Sequence, residues 1–200
     1  MARIPGVAAG PEPHGADTPT RARTVRRALR AAADDEGSVL SEESFEVLLE
    51  AAVQDPNPSF NRCFVEPVLN ADGYHRVRAA LLERLRNGTD AQRAGAARAW
   101  YWTALPGRGR GRGEARGPRR PLPAGARYTA ALVADWREAS LREFVANEDL
   151  DVRRCILLGL ALRTSKYPPE LHPLVTAATV IARAHPDDYI RHRVEAQVGD

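Results

Sequence analysis

Long apolar runs, catalytic motifs and alternating strand patterns are all missing from this chain of 200 residues. No stretch approaches the ~18 consecutive apolar residues that a membrane span needs, and the first residues lack the apolar core of a signal peptide. The chain has no phosphate-binding loop, no nucleophile elbow and no HExxH motif. We therefore expect a cytoplasmic, non-enzymatic protein that uses no cofactor, binds no metal and does not contact a membrane.

Cysteine and lysine are also scarce. The two cysteines, Cys63 and Cys155, lie in predicted helices at a spacing unlike that of a zinc knuckle. This spacing favours two buried, reduced thiols over a disulfide. Lys166 is the only lysine among 29 lysine and arginine residues, so the preference for arginine is explained by coding bias and carries little functional weight.

The formal net charge of +3 is unevenly distributed along the chain. Residues 106–123 carry +5 and residues 21–30 carry another +5, which leaves −7 for everything else. The basic charge therefore lies in one Arg/Gly-rich segment and one short predicted helix, and the rest of the chain is mildly acidic.

After Thr18 the apolar residues recur at helical spacing, and no segment alternates as a half-buried strand would. In the stretch 147–162, Asp149 is placed to cap a helix that we predict over residues 150–163. Its buried face consists of Val152, Ile156, Leu157 and Leu160.

Other helix boundaries are also marked by local chemistry. Ser41 is a predicted N-cap, and Thr89 and Gln92 have the spacing of a capping box. Gly73 is predicted to lie at a helix start, and Gly88 is predicted to close the preceding helix in the left-handed conformation.

Two segments interrupt this pattern. Residues 1–17 are rich in glycine and proline, so we expect a disordered tail before a domain at residues 18–200. Residues 106–127 form an Arg/Gly-rich loop that we interpret as an insertion between two helical hairpins.

Four polar turns each lead into a helix with an arginine near the end of its first turn. Their sequences are DPNPSFNRC, NGTDAQRAG, NEDLDVRRC and HPDDYIRHR, and the arginines are Arg62, Arg93, Arg153 and Arg191. The arginines are 31, 60 and 38 residues apart. Without the insertion the middle spacing is about 40 residues, the period of solenoids with two helices per unit.

The Asp-x-Val-Arg of Asp151 to Arg153 and the similar run from Asp188 to Arg191 resemble the second-helix start of HEAT repeats. The resemblance covers roughly residues 41–198 and implies an all-α fold, an α-α superhelix of about four helical hairpins. It also implies that the turn aspartates and helix arginines link neighbouring repeats. The residues to which it assigns this structural role are Asp151, Arg153, Asp188, Arg191, Arg62 and Arg93.

Few residues are candidates for chemistry. His185, Asp188 and His192 come nearest to a metal cluster, although a cap with surface histidines explains them better. The consecutive Trp100, Tyr101 and Trp102 must point in three directions around a helix, so at least one should be buried and one can reach the surface. Some HEAT-like DNA glycosylases use aromatic residues and an acid around a damaged base, and the residues open to that comparison are Trp100, Trp102, Trp136 and Asp135.

Three functions stay open at this point. The preferred one is a non-enzymatic interaction module that presents a groove to a protein or peptide partner. The second is a nucleic-acid-binding protein that uses the Arg/Gly-rich loop and the helix at residues 21–30, and the third is a HEAT-like enzyme acting on nucleic acid. The candidate binding surface consists of Arg108, Arg110, Arg112, Arg116, Arg119, Arg120, Arg154 and His192.

Overall fold

The computed structural model describes Val25, Leu29, residues 40–104 and residues 124–198. Within these ranges the chain is all-α, as its apolar periodicity predicts. Two short 3-10 helices, Thr164–Lys166 and Pro169–Leu171, lie between the fifth and sixth α-helices. The α-helices of the described ranges are α1 (Glu42–Gln54), α2 (Pro58–Asn87), α3 (Asp90–Ala104), α4 (Ala124–Ala146), α5 (Leu150–Leu157), α6 (His172–Arg183) and α7 (Asp188–Val198).

The helices pack as two layers. In one layer α1 contacts α3, α3 contacts α5, and α5 contacts α7; in the other, α2 contacts α4 and α4 contacts α6. Consecutive helices such as α4 and α5 join the layers. The core lies between them and includes the fully buried Leu48, Leu81 and Leu157, each of which contributes about 1.5–3 kcal/mol of transfer free energy. None of the helices in the described ranges is long and apolar enough to cross a membrane.

The predicted capping residues are confirmed. The Asp149 carboxylate accepts from the backbone N–H of Val152 at 2.9 Å, and the Ser41 hydroxyl accepts from Ser44 N–H at 3.3 Å. Before α3, Thr89 N–H donates to the Gln92 side chain at 3.0 Å and Gln92 N–H donates to the Thr89 hydroxyl at 3.4 Å. Local hydrogen bonding therefore fixes these helix starts, because it satisfies backbone donors that the helix itself leaves unpaired.

The predicted end of α5 is wrong. The helix stops at Leu157 and does not continue to residue 163. Leu158 is the C-cap, and Gly159 comes directly after it; glycine is among the weakest helix formers. Leu160 and Leu162 are nevertheless buried, at 2% and 5% exposure. Apolar spacing predicted the burial of Leu160 correctly, but burial does not require helical backbone.

Two glycine predictions have different outcomes. Gly73 interrupts α2 with a φ of 78° and a ψ of 165°, at the predicted break. The left-handed conformation predicted for Gly88 is wrong, because Gly73 is the only glycine of the described ranges with positive φ. Gly88 instead donates its N–H to the carbonyl of Arg84 at 3.0 Å, which continues the helical hydrogen bonding.

Two further predictions are corrected. Residues 124–127 do not belong to the loop predicted at 106–127, since α4 begins at Ala124, where alanine favours the helix. Cys155 is buried as predicted, but Cys63 is exposed, and both are free thiols. The core face of this part of α2 is formed by Asn61, Val65 and Val68, so Cys63 falls on the solvent side.

The tail at 1–17, most of the predicted basic helix at 21–30 and residues 105–123 lie outside the described residues. Within the basic helix, Val25 and Leu29 are helical and pack against the core.

Candidate functional site

The three consecutive aromatic residues of α3 point in different directions, as predicted. Trp100 is buried and stacks on Trp136 of α4, with ring centroids 3.9 Å apart and an interplanar angle of 3°. Tyr101 is 48% exposed. Trp102 is half-buried and donates its indole N–H to the side-chain oxygen of Asn61 at 2.5 Å. The stacked tryptophans join the two layers where α3 ends.

A buried arginine lies against this tryptophan stack. Arg78 of α2 donates from Nε to the Thr103 hydroxyl at 3.1 Å and from Nη2 to the Thr103 carbonyl at 2.5 Å. Its guanidinium carbon is 5.4 Å from the ring centroids of both Trp100 and Tyr74. Burial lowers the pKa of the Arg78 guanidinium. Among the described residues no carboxylate pairs with it, and its hydrogen bonds to them use Nε and Nη2.

A pocket opens beside Arg78, and we call it the arginine–tryptophan pocket. It encloses about 200 Å³ and has mainly apolar walls. Arg137 is a second cation at this pocket, exposed and without a carboxylate partner in the part of the chain that the structure describes. None of the described residues that line the pocket is acidic; they are Arg78, Ala97, Trp100, Tyr101, Ala104, Val133, Trp136, Arg137, Cys155, Ile156, Leu158 and Gly159.

A second hollow of about 370 Å³ adjoins this pocket. The two hollows share the lining residues Cys155 and Leu158, and we call the two together the α3–α5–α7 groove. Tyr101, Leu158 and Tyr189 line it and are large apolar or aromatic residues that stay 37–48% exposed. The groove therefore runs from the tryptophan stack across the layer of odd-numbered helices.

The arginines of the second hollow are held by carboxylates. Arg98 pairs with Asp151 at 3.0 Å and also donates to the Cys155 sulfur at 3.3 Å. Arg154 donates from Nε to Asp187 at 3.2 Å, and this partner lowers the pKa of the Asp187 carboxyl. Among the described residues that line the groove, the arginines without a carboxylate partner therefore lie at its Arg78–Arg137 end.

The thiol between the two hollows is not an activated nucleophile. Burial raises the pKa of Cys155. The charge of Arg98 opposes this shift, and Asp151 acts in the same direction as burial but with a smaller effect than Arg98. A thiol that stays protonated is a poor nucleophile. The groove consequently combines apolar contact surface with fixed cations, an arrangement suited to binding.

Of the predicted binding surface, the six loop arginines at residues 108–120 lie outside the described residues. Arg154 lines the second hollow, where it is paired with Asp187. His192 is exposed on α7 and does not line the groove. Their role in binding stays a prediction, and the structure brings only Arg154 to this groove.

Several of the residues predicted to link repeats do contact a neighbouring helix. Arg93 of α3 approaches Glu143 of α4 at 3.2 Å, and Asp151 of α5 pairs with Arg98 of α3. Arg153 of α5 does not use a turn acid but donates to the carbonyl of Phe144, in α4, at 3.3 Å.

The remaining members of that set pair within their own helix. Arg62 pairs with Glu66, although its guanidinium also lies 5.1 Å over the ring of Trp102 in α3. Asp188 pairs with Arg191 within α7. Arg191 additionally donates to the carbonyl of His185 at 2.5 Å.

The residues considered for a metal have other contacts. His185 is buried, and its Nδ1 accepts from the backbone N–H of Asp187 at 3.1 Å. Burial, followed by the charge of Arg153, lowers the pKa of His185. No group of three histidine, cysteine or acidic side chains within the described ranges could hold a metal ion.

Sequence reasoning missed Arg78, Arg98 and Arg137. A signal for Arg78 was available, because it lies three and seven residues before Leu81 and Leu85 and so falls on the buried stripe of α2. An arginine at such a position requires an explanation, since arginine is almost never fully buried without a partner. Nothing comparable marks Arg137 or Arg98, whose positions depend on how the helices pack.

No family model, curated protein or solved structure matches this chain. The fold and the groove therefore define only a class: an all-α protein of two packed helical layers with an open, arginine-bearing groove across one of them.

Proposed function

We propose that this protein is a non-enzymatic interaction module that binds a segment of a protein partner in the α3–α5–α7 groove. The observation that carries the proposal is the grouping of exposed Tyr101, Leu158 and Tyr189 along this groove. Large apolar and aromatic side chains that stay exposed side by side mark interaction sites. Tyrosine and arginine, both present here, are enriched among the residues that dominate binding energy.

The proposal includes a short HEAT-like superhelix in the cytoplasm. The odd-numbered helices contact one another in order along the chain, and so do the even-numbered helices. This regular order supports a stack of hairpins in which each unit packs on its neighbours. Such a stack leaves one face of a layer free for recognition. The turns before α3 and α5 are capped, as expected for such a stack. Cys63 and Cys155 are free thiols, which agrees with a cytoplasmic location.

Two features of the pocket favour binding of protein over chemistry on a nucleic-acid base. Asp135 is exposed and does not line the pocket, and none of the described residues that line it is an acid that could activate water. Trp100 and Trp136 are stacked on each other and are both buried, so neither offers an open platform for a flipped base. Nucleic-acid binding by the Arg/Gly-rich loop is a separate possibility outside the described residues.

Differential capture from the native cell extract tests the proposal. We compare the wild type with Leu158→Glu, which places a charge in the groove, and with Val180→Glu, a control at an exposed position of α6 outside it. The wild type and the control should retain a protein that Leu158→Glu loses by about tenfold or more. Nuclease treatment should leave its recovery unchanged.

Recovery of the same proteins by the wild type and both variants would contradict the proposal. So would a partner that disappears after nuclease treatment, because the wild type would then be binding nucleic acid.

A further inference from the structure

Arg78 is a buried cation whose charge the described residues do not neutralise. It is 8% exposed, and its two hydrogen bonds to protein end on the uncharged oxygens of Thr103. Leaving a charge buried without a counter-charge is costly in free energy. The remaining nitrogen, Nη1, belongs to a residue that lines the arginine–tryptophan pocket. The geometry is that of an anion site for which the described residues supply no anion.

The position of this guanidinium is fixed before any ligand arrives. Thr103, its partner, is buried and donates its hydroxyl to the carbonyl of Trp100 at 2.8 Å. The Trp100 and Tyr74 rings lie within 5.4 Å of the guanidinium carbon, where cation–π attraction operates. A cation held in this way loses little conformational entropy when it binds an anion.

The shape and charge of the pocket limit what it can hold. Its volume of about 200 Å³ is below the ~300–1,000 Å³ typical of small-molecule sites, so it suits one side chain better than a whole cofactor. Arg137 adds a second cation, and the other described residues that line the pocket are mainly apolar and carry no charge. The matching occupant is a side chain with a short apolar stem and one negative charge.

We propose that the arginine–tryptophan pocket binds the carboxylate of an aspartate or glutamate in an acidic peptide segment of the partner, with Arg78 and Arg137 as its cationic contacts. This inference rests on the proposed function, since it names the chemistry of the segment that enters the groove. An apolar residue next to that acid would then face Leu158 and Tyr189 in the second hollow.

A phosphate group fits this pocket less well than a carboxylate. Phosphate carries up to two charges and three acceptor oxygens, whereas Arg78 has two of its nitrogens engaged by Thr103. Arg98 and Arg154, the nearest other cations of the groove, are paired with Asp151 and Asp187. Two carboxylate oxygens match the donors that are available.

Three short peptides test the inference on the full chain. The probes are acetyl-Leu-Glu-Leu-amide, its glutamine counterpart and its phosphoserine counterpart, and binding is followed by NMR through the indole N–H signals of Trp100 and Trp136. The glutamate peptide should bind about tenfold or more tightly than the glutamine peptide, since hydrogen bonds to charged groups are the stronger ones. It should also bind more tightly than the phosphoserine peptide.

Arg137→Gln is the main variant, because an exposed side chain can be changed without unfolding the chain. It should weaken the binding of the glutamate peptide severalfold, with Arg78 still in contact with the carboxylate, and leave the binding of the glutamine peptide unchanged. Arg86→Gln, at an exposed arginine of α2 outside the groove, should leave the affinity unchanged. Equal binding of glutamate and glutamine peptides, tighter phosphoserine binding, or no binding of any peptide would overturn the inference.

Failure of this inference is distinguishable from failure of the proposed function. If the captured partner is lost with Leu158→Glu but is retained by Arg137→Gln, the groove binds protein and the carboxylate assignment is wrong. If Leu158→Glu changes nothing, the groove itself is not the binding site.

Discussion

Gly95→Ala is expected to lower the free energy of unfolding by at least ~3 kcal/mol, the upper end of the range for overpacking in a core. A Cβ at this buried position of α3 would lie 1.9 Å from the carbonyl oxygen of Val53 in α1 and 2.7 Å from its carbon. These atoms are backbone, so they cannot move aside without separating the two helices. Urea denaturation followed by far-ultraviolet circular dichroism measures the effect.

A decrease in the free energy of unfolding is informative here, because alanine in place of glycine normally stabilises a helix interior by about 1 kcal/mol. Gly159→Ala is the matched control, since a Cβ there has no neighbour within 4 Å and its φ is not positive. It should change the free energy of unfolding by less than ~1 kcal/mol. A Gly95→Ala variant as stable as the control would mean that α1 and α3 are not in close contact.

Leu157→Ala should lower the free energy of unfolding by about 2–5 kcal/mol, the range for removing a fully buried leucine side chain. Leu157 is 0% exposed at the end of α5, and the truncation leaves a cavity that the surrounding helices fill only in part. The same denaturation measurement applies.

The adjacent leucine is the control for this prediction. Leu158 is 37% exposed and lines the groove, so Leu158→Ala should change the free energy of unfolding by no more than ~0.5 kcal/mol, as expected at the surface. If the two variants exchanged their effects, α5 would have the opposite face turned inward. Leu158 would then be unable to contribute to a groove.

Local chemistry predicted the starts of helices well. Asp149, Ser41 and the Thr89–Gln92 pair act within three residues of their partners, so sequence alone contains the whole interaction. The end of α5 depends on longer-range packing. Leu160 and Leu162 are buried by neighbouring elements in a non-helical conformation, which a pattern of apolar residues cannot distinguish from a longer helix.

The candidate site was less predictable than the fold for the same reason. Arg78 and Tyr189 lie more than a hundred residues apart, yet both line the groove because α3 and α5 are packed between them. The sequence alone could place Trp100 on a helix and require one aromatic side chain of the Trp100–Trp102 triplet to be buried. The stacking of Trp100 on Trp136 depends on which helices pack together. The same packing determines that no carboxylate of the described residues pairs with Arg78.

Photo-crosslinking along the groove tests the central claim, that a protein partner binds there, most directly. The photoreactive residue benzoylphenylalanine replaces Tyr101 or Tyr189, at the two ends of the groove, or Phe60 of α2 as an exposed control outside it. We predict that both tyrosine positions crosslink one and the same protein in native cells and that position 60 does not. Crosslinking of that protein from position 60 with none from either tyrosine position would contradict the account.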